Sequence, residues 1–144
     1  MKKQEPFRPD ASKYHLLFQA DYISIYNNTL EGWLYAQWKG TRTQENAMQG
    51  VEQILHYLND TGSRKIIIDS RLSKNSLLDV VDWVSKVVAP KLEATGLEHL
   101  AWIYSDNNHA RPLADAILAK DKTNIIVLVS DKIETAETWL RTLK

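Results

Sequence analysis

The stretch Lys65-Ile-Ile-Ile-Asp-Ser-Arg71 decides the fold, because three consecutive isoleucines run directly into three polar residues. An apolar run without alternation is typical of a strand that is buried on both faces, as in the parallel part of a sheet. Polar residues that follow such a strand lie where α/β proteins usually place their sites. We therefore predict a central strand over residues 65–69 and a candidate binding site at Asp69, Ser70 and Arg71.

Composition limits the classes of function. The chain has 144 residues, which suits one domain with its own core. Lys plus Arg and Asp plus Glu both number 18, and this balance argues against nucleic acid as a partner, because such binding needs a basic excess. The chain has no cysteine, which excludes disulfides, thiolate metal sites and a cysteine nucleophile.

The N-terminal residues 1–13 are mostly polar and contain two prolines, so we predict a flexible tail before a single domain over 14–144. No apolar segment follows the first charges, which is unlike a signal peptide. The longest apolar run, Ile125–Val129, is too short to span a bilayer. These features predict a cytoplasmic protein without an integral membrane segment.

A hairpin is predicted near the N-terminus. Tyr22–Tyr26 alternates with period two, Gly32–Trp38 is rich in aromatic residues, and a short turn joins them. Alternation places Trp33, Tyr35 and Gln37 on one face of the second strand. The preceding segment, Tyr14–Ala20, is compatible with a strand or with a helical turn.

Two helices follow on either side of the central strand. Thr41 and Gln44 have capping-box spacing, and the apolar period predicts a first helix from about Gln44 to Asn59. This helix should stop at Asp60-Thr-Gly62, where the glycine supplies the left-handed cap. A second helix is predicted from Ser76, which starts a Ser-x-x-Asp pattern. Pro90 interrupts its apolar stripe, so the helix should kink or end there.

The remaining pattern alternates strands and helices. His99–Tyr104 and Asn124–Val129 are predicted strands, and Pro112 fits the first turn of a helix that separates them. A last helix is predicted from Ser130 and Asp131. The order ββαβαβαβα predicts an α/β fold: a mixed sheet with an antiparallel hairpin, then parallel strands.

Several residues resemble those of STAS-like domains, the fold of anti-sigma-factor antagonists, and of small bacterial STAS/SEC14-like proteins. The resemblance covers about residues 20–143. It is carried by Trp38-Lys-Gly40, Asp69-Ser-Arg71, Asp82-Trp83, Pro90, Gly96, Ala101 and Ala136-Glu-Thr-Trp139-Leu140.

The resemblance implies a regulatory protein whose serine at the start of the second helix is phosphorylated. Ser76 has that position and is a candidate phosphosite. The antagonists carry Asp-Ser-x-Gly there, whereas this chain reads Asn75-Ser76-Leu77-Leu78. The capping pattern explains Ser76 completely as the helix N-cap, and this interpretation is favoured over the phosphosite.

Two further residues are candidates for a site. Trp83 lies beside the apolar stripe of the second helix, where it would line a pocket or an interface. His109 lies in the loop after the strand 99–104, and it would meet Asp69 if the two strand ends converge. No histidine pair has metal-ligand spacing, and no glycine-rich cofactor loop is present, so no metal or cofactor is predicted.

Three functions remain open on these grounds. The first is a non-enzymatic STAS-like interaction or regulatory module that contacts a protein partner or forms a homodimer. The alternative is a carrier or sensor that holds a small apolar or amphipathic ligand between the second helix and the sheet. An enzyme that uses Asp69 and His109 is the third, although the chain has no recognisable catalytic motif.

Overall fold

A computed structural model describes residues 9–41, 43–74, 81–105 and 110–143. Its strands form one six-stranded sheet in the order β1-β2-β3-β4-β5-β6. The strands are β1 (Tyr14–Gln19), β2 (Ile23–Asn28), β3 (Trp33–Gly40), β4 (Lys65–Ser73), β5 (His99–Ile103) and β6 (Ile126–Ser130).

The sheet is mixed, as predicted. Strands β1, β2 and β3 are antiparallel, and β3, β4, β5 and β6 are parallel. The segment Tyr14–Ala20, which was compatible with a strand or a helical turn, forms strand β1. The predicted order therefore lacked one strand. Its register shifts between Leu16 and Phe18, and this bulge explains why the segment does not alternate cleanly.

The helices cover the two faces unequally. They are α1 (Gln44–Thr61), α2 (Val81–Trp83), a π-helical segment (Val84–Val88), α3 (Ala89–Ala94), α4 (Ala110–Lys120) and α5 (Ile133–Thr142). Each parallel connection leads to the neighbouring strand, always in the same direction across the sheet. Because such crossovers are right-handed, the helices that connect these strands lie on one face. We call this the helix face, and its core includes Leu34, Ile66 and Leu92.

The opposite side of the sheet, the α5 face, has a second core. There Ile133, Ala136 and Leu140 of α5 pack against a cluster that includes Trp33, Tyr35 and Ile67. Both faces of β4 are therefore covered, which confirms the prediction from its uninterrupted apolar run. The predicted alternation of β3 is also confirmed.

Helix α1 begins at Gln44 as predicted, but its N-cap differs from the prediction. The N-cap is Thr43, whose hydroxyl accepts from the backbone N–H of Asn46, while the Asn46 side chain accepts from the Thr43 N–H. The predicted pair Thr41 and Gln44 is wrong, because Gln44 is already the first helical residue. At the other end Gly62 has φ 68° and its N–H donates to Leu58, as the predicted glycine cap requires.

The helix around Pro90 neither stops nor stays regular. It continues to Ala94, but the turn before the proline is a π-helix, in which the N–H of Ala89 donates to the carbonyl of Val84. Pro90 has no N–H, and its ring clashes with the carbonyl one turn earlier in a regular helix. The wider π turn accommodates the proline ring and its missing N–H. The helix therefore does not end at Pro90, and that one of the two predicted outcomes is wrong.

The last helix begins later than predicted. Ser130 belongs to β6, and its hydroxyl accepts from the N–H of Lys132, the N-cap of α5. The predicted start at Ser130 and Asp131 is wrong for this reason. None of the helices in the described ranges is long and apolar enough to cross a membrane.

Candidate functional site

The predicted site at the end of β4 is divided between the two faces of the sheet. Asp69 accepts a hydrogen bond from Tyr35 on the α5 face, whereas Ser70 accepts one from Trp102 Nε1 on the helix face, at 3.2 Å. Alternation along the strand requires this separation. The three consecutive residues therefore do not form one binding surface.

The Asp69 carboxylate is fully buried and lies within a dense set of donors. Oδ1 accepts from the backbone N–H and from Nε of Arg71, both at 3.0 Å. Oδ2 accepts from an Arg71 terminal nitrogen at 2.7 Å and from the Tyr35 hydroxyl. A two-point guanidinium–carboxylate pair of this kind fixes geometry as well as charge.

This network also holds an irregularity of β4. Asp69 lies opposite Gln37, but Leu72 lies opposite Lys39, so β4 has one extra residue in this interval. The Asp69 side chain accepts from the N–H of Arg71 inside the bulge. Because of the extra residue, Leu72 lies on the same face as Asp69, next to Lys39.

The electrostatics of the cluster keep its charges fixed. Burial raises the pKa of Tyr35, and the adjacent Asp69 carboxylate raises it further. Burial lowers the pKa of Arg71, but hydrogen bonds and charge from Asp69 more than offset this, so the net pKa is raised. Tyr35 therefore stays a neutral donor and Arg71 a cation at neutral pH.

On the helix face, Ser70 lines a cavity of about 110 Å³ between the sheet, α1 and the π segment. Three tryptophans form much of its wall, and none of the described lining residues carries a charge. The lining comprises Trp38, Ala47, Val51, Ile54, Ile68, Ser70, Trp83, Val84, Val88, Leu92, Leu100, Trp102 and Ile117. Trp83 is among these lining residues, and its role in binding a ligand or partner stays a prediction.

A glycine that sequence reasoning passed over shapes this cavity. Gly50 lies in the middle of α1, where glycine is unfavourable. A Cβ atom at this position would lie 2.3 Å from Cη2 of Trp38. The missing side chain therefore allows the Trp38 ring to pack directly against α1 and to form a cavity wall. A glycine inside a predicted helix was the available signal.

On the α5 face, a groove lies over β1, β2 and the carboxyl end of β3. The C-terminal end of α5 lies at the start of β4, where Lys65 Nζ donates to the carbonyls of Leu140 and Leu143. The groove, which we call the β1–β3 groove, is lined by Pro9, Ala11, Tyr14, His15, Leu16, Gln19, Ser24, Tyr26, Gln37, Lys39 and Leu72.

The charge of the β1–β3 groove is one-sided. None of its described lining residues is acidic. Lys39 Nζ donates to the hydroxyl of Ser24 at 2.9 Å and forms no ion pair within the described part of the chain. Leu16 also lines the groove and is 51% exposed, so the groove combines apolar surface with a cation.

Two candidate residues cannot be placed. Ser76 and His109 lie outside the described residues, within 75–80 and 106–109. The phosphosite and the contact between His109 and Asp69 therefore stay predictions. Within the described ranges, no group of three His, Asp or Glu side chains is arranged to hold a metal ion.

Comparisons with known proteins give structural similarity alone. No family model matches the chain, and no curated protein sequence matches it. The fold is similar to apo-SiaC from Pseudomonas aeruginosa, with 15% identity and a TM-score of 0.49 over 81% of this chain and 98% of that chain.

A second similar chain comes from the complex of the diguanylate cyclase SiaD with its activator SiaC, also from Pseudomonas aeruginosa. Its identity is 14% and its TM-score 0.44, with the same coverage of both chains. The mixed α/β architecture of the present chain rests on its own strand order and directions. Membership of the STAS-like family stays a prediction from the sequence.

Proposed function

We propose that this protein is a non-enzymatic regulatory module that binds a protein partner in the β1–β3 groove. The observation that supports this most directly is the half of the α5 face that carries no helix from the described residues. There, the exposed Leu16 and the partly buried Leu72 line the groove together with Lys39, and none of the described lining residues is acidic. The partner is a protein segment that presents apolar side chains and a carboxylate.

The chemistry of the groove suits a protein partner. Leu16 and Tyr26 lie opposite each other on β1 and β2, and Leu72 lies opposite Lys39 on β4. Tyrosine and aliphatic side chains around a polar centre resemble a protein interface, where aromatic residues are enriched. An acidic partner residue that reaches Lys39 would displace water and replace the neutral Ser24 hydroxyl as its contact.

The test uses two groove variants and two matched controls. Lys39→Glu and Leu16→Asp change the groove. Lys91→Glu makes the same charge change on α3, which lies on the helix face, and Leu30→Asp changes a side chain that is 74% exposed outside the groove. Each variant is checked for native circular dichroism, and proteins captured from the native host are quantified by mass spectrometry.

We expect one protein to be captured by the wild type and by both controls but lost from both groove variants. Raised salt should weaken the capture, because the contact at Lys39 is electrostatic. Equal capture by groove and control variants would contradict the proposal.

Two other occupants are separated by further measurements. Sedimentation of the purified protein shows whether the wild type forms a dimer. A dimer that is lost in the groove variants would assign the groove to a second copy of the chain instead. Deletion of residues 1–8 shows whether that segment competes for the groove. Tighter binding of a partner after the deletion would fit the proposal, whereas loss of the partner would assign the contact to the segment.

A further inference from the structure

We propose that the cavity on the helix face is a binding site for a small neutral one-ring aromatic molecule. This inference is independent of the partner in the β1–β3 groove, since the cavity and the groove lie on opposite faces of the sheet. It concerns residues that the proposed partner does not touch, so either proposal can fail alone.

The size of the cavity suits a single ring. Its volume is about 110 Å³. Protein cores are usually packed without spaces larger than a water molecule. An apolar cavity of ~150 Å³ in another protein takes up benzene, so the present cavity is of the right order for one ring and too small for a long acyl chain.

The wall chemistry selects a neutral aromatic ligand. Trp38 and Trp102 contribute rings from the sheet, and Trp83 contributes one from the helical side. Aromatic rings pair favourably in edge-to-face or offset arrangements, beyond the effect of their buried area. No described lining residue is charged, so a charged ligand would lose its hydration without gaining a counter-ion.

The π segment that accommodates Pro90 also shapes the cavity. Val84 and Val88, the two ends of the π segment, both line the cavity, and Trp83 immediately precedes them. Isolated π turns are rare and frequently occur at functional sites. Trp83 lines the cavity and is only partly buried.

The experiment follows the indole N–H resonances of the full-length protein during titration with toluene. Three of the five tryptophans line the cavity, whereas Trp33 and Trp139 belong to the core on the α5 face and act as internal controls. Methylcyclohexane, of similar size but not aromatic, and benzoate, aromatic but charged, are titrated in parallel.

We expect toluene to cause saturable shifts at Trp38, Trp83 and Trp102 and none at the two control tryptophans. Ala47→Leu fills the cavity from α1 and should weaken binding by about tenfold or more. Met48→Leu, at an exposed neighbouring position of α1, should leave the affinity unchanged. If Ala47→Leu does not fold, Val84→Phe fills the same space from a partly exposed position.

Several results would overturn the inference. These are the absence of saturable shifts up to the solubility of toluene, equal shifts at Trp33 and Trp139, and unchanged affinity in the cavity-filling variant. Tighter binding of methylcyclohexane would overturn the aromatic class, and comparable binding of benzoate would overturn the neutral one.

Discussion

At the scale of single residues, the buried carboxylate of Asp69 depends on its partners. Its side chain is 1% exposed, and Arg71 supplies the compensating charge at 2.7 Å. Removal of one member of a buried pair leaves an uncompensated charge, which is far more costly than loss of a surface pair. The ion pair between Arg64 and Glu98, by contrast, joins side chains that are 74% and 54% exposed.

We therefore predict that Arg71→Met lowers the free energy of unfolding by about 3 kcal/mol. The matched control Arg64→Met should change it by less than about 0.5 kcal/mol, since exposed pairs contribute little. Urea denaturation of the three proteins measures both values. Similar losses in the two variants would show that Asp69 does not depend on its buried partner.

Gly50 provides a second test at this scale. Gly50→Ala gains helix propensity, worth up to about 1 kcal/mol, but the new Cβ meets the Trp38 ring. Overpacking costs about 1–3 kcal/mol, so we expect a net loss of stability in thermal denaturation. The cost of Gly50→Ala should be smaller in a Trp38→Phe background than in the wild type. An equal cost in the two backgrounds would contradict a clash with this ring.

At the scale of elements, α5 is tied to the turn between β2 and β3. Arg141 Nε donates to Glu31 Oε1 at 2.6 Å, and a second Arg141 nitrogen donates to Oε2 at 3.3 Å. The hydrogen bond from Arg141 lowers the pKa of Glu31, against a smaller opposing effect of burial. Asn28 supports the same carboxylate through its side-chain amide.

This ion pair makes a pH-dependent contribution. A carboxyl group with a lowered folded-state pKa stabilises the protein fully above its unfolded pKa, about 4.3 for Glu, and loses the effect as pH falls through the folded pKa. We predict that Glu31→Gln is about 0.5–1 kcal/mol less stable than the wild type near neutral pH. The difference in the free energy of unfolding between the two proteins should shrink in acid. Urea denaturation over a pH series measures this difference, and a constant value would contradict the account.

The sequence predicted the elements better than their irregularities. The uninterrupted apolar run located β4 and apolar periodicity located α1, because burial imposes both patterns directly. The bulge at Leu16 and Phe18 removed the alternation that would have marked β1 as a strand. Pro90 indicated an irregular helix. Its missing N–H does not show whether the helix ends, kinks or widens into a π turn.

The candidate site was predicted less well than the fold. Asp69, Ser70 and Arg71 are adjacent in sequence, and alternation already separates Ser70 from its neighbours. The extra residue of β4 between Asp69 and Leu72 has no sequence signal of its own. Gly50 signalled a close approach inside α1, but only the tertiary structure shows that Trp38 is the group that approaches.

At the scale of the whole molecule, connectivity explains where binding surfaces arise. Sequential strand order with right-handed crossovers places α1, the helix around Pro90 and α4 on one face. The other face receives α5, which packs against β5 and β6 and leaves the β1–β3 groove without a helix from the described residues. The cavity and the groove are thus consequences of one topology, on opposite sides of one sheet.

The most direct measurement is site-specific photo-crosslinking in the native host. The photoreactive amino acid p-benzoylphenylalanine replaces Tyr26 in the groove or, as a matched control, Tyr22, which stacks on Trp38 at the helix face. We predict that position 26 crosslinks to one protein partner and that Lys39→Glu abolishes this product, whereas position 22 gives none. Equal products from both positions, or none from position 26, would contradict a partner-binding groove.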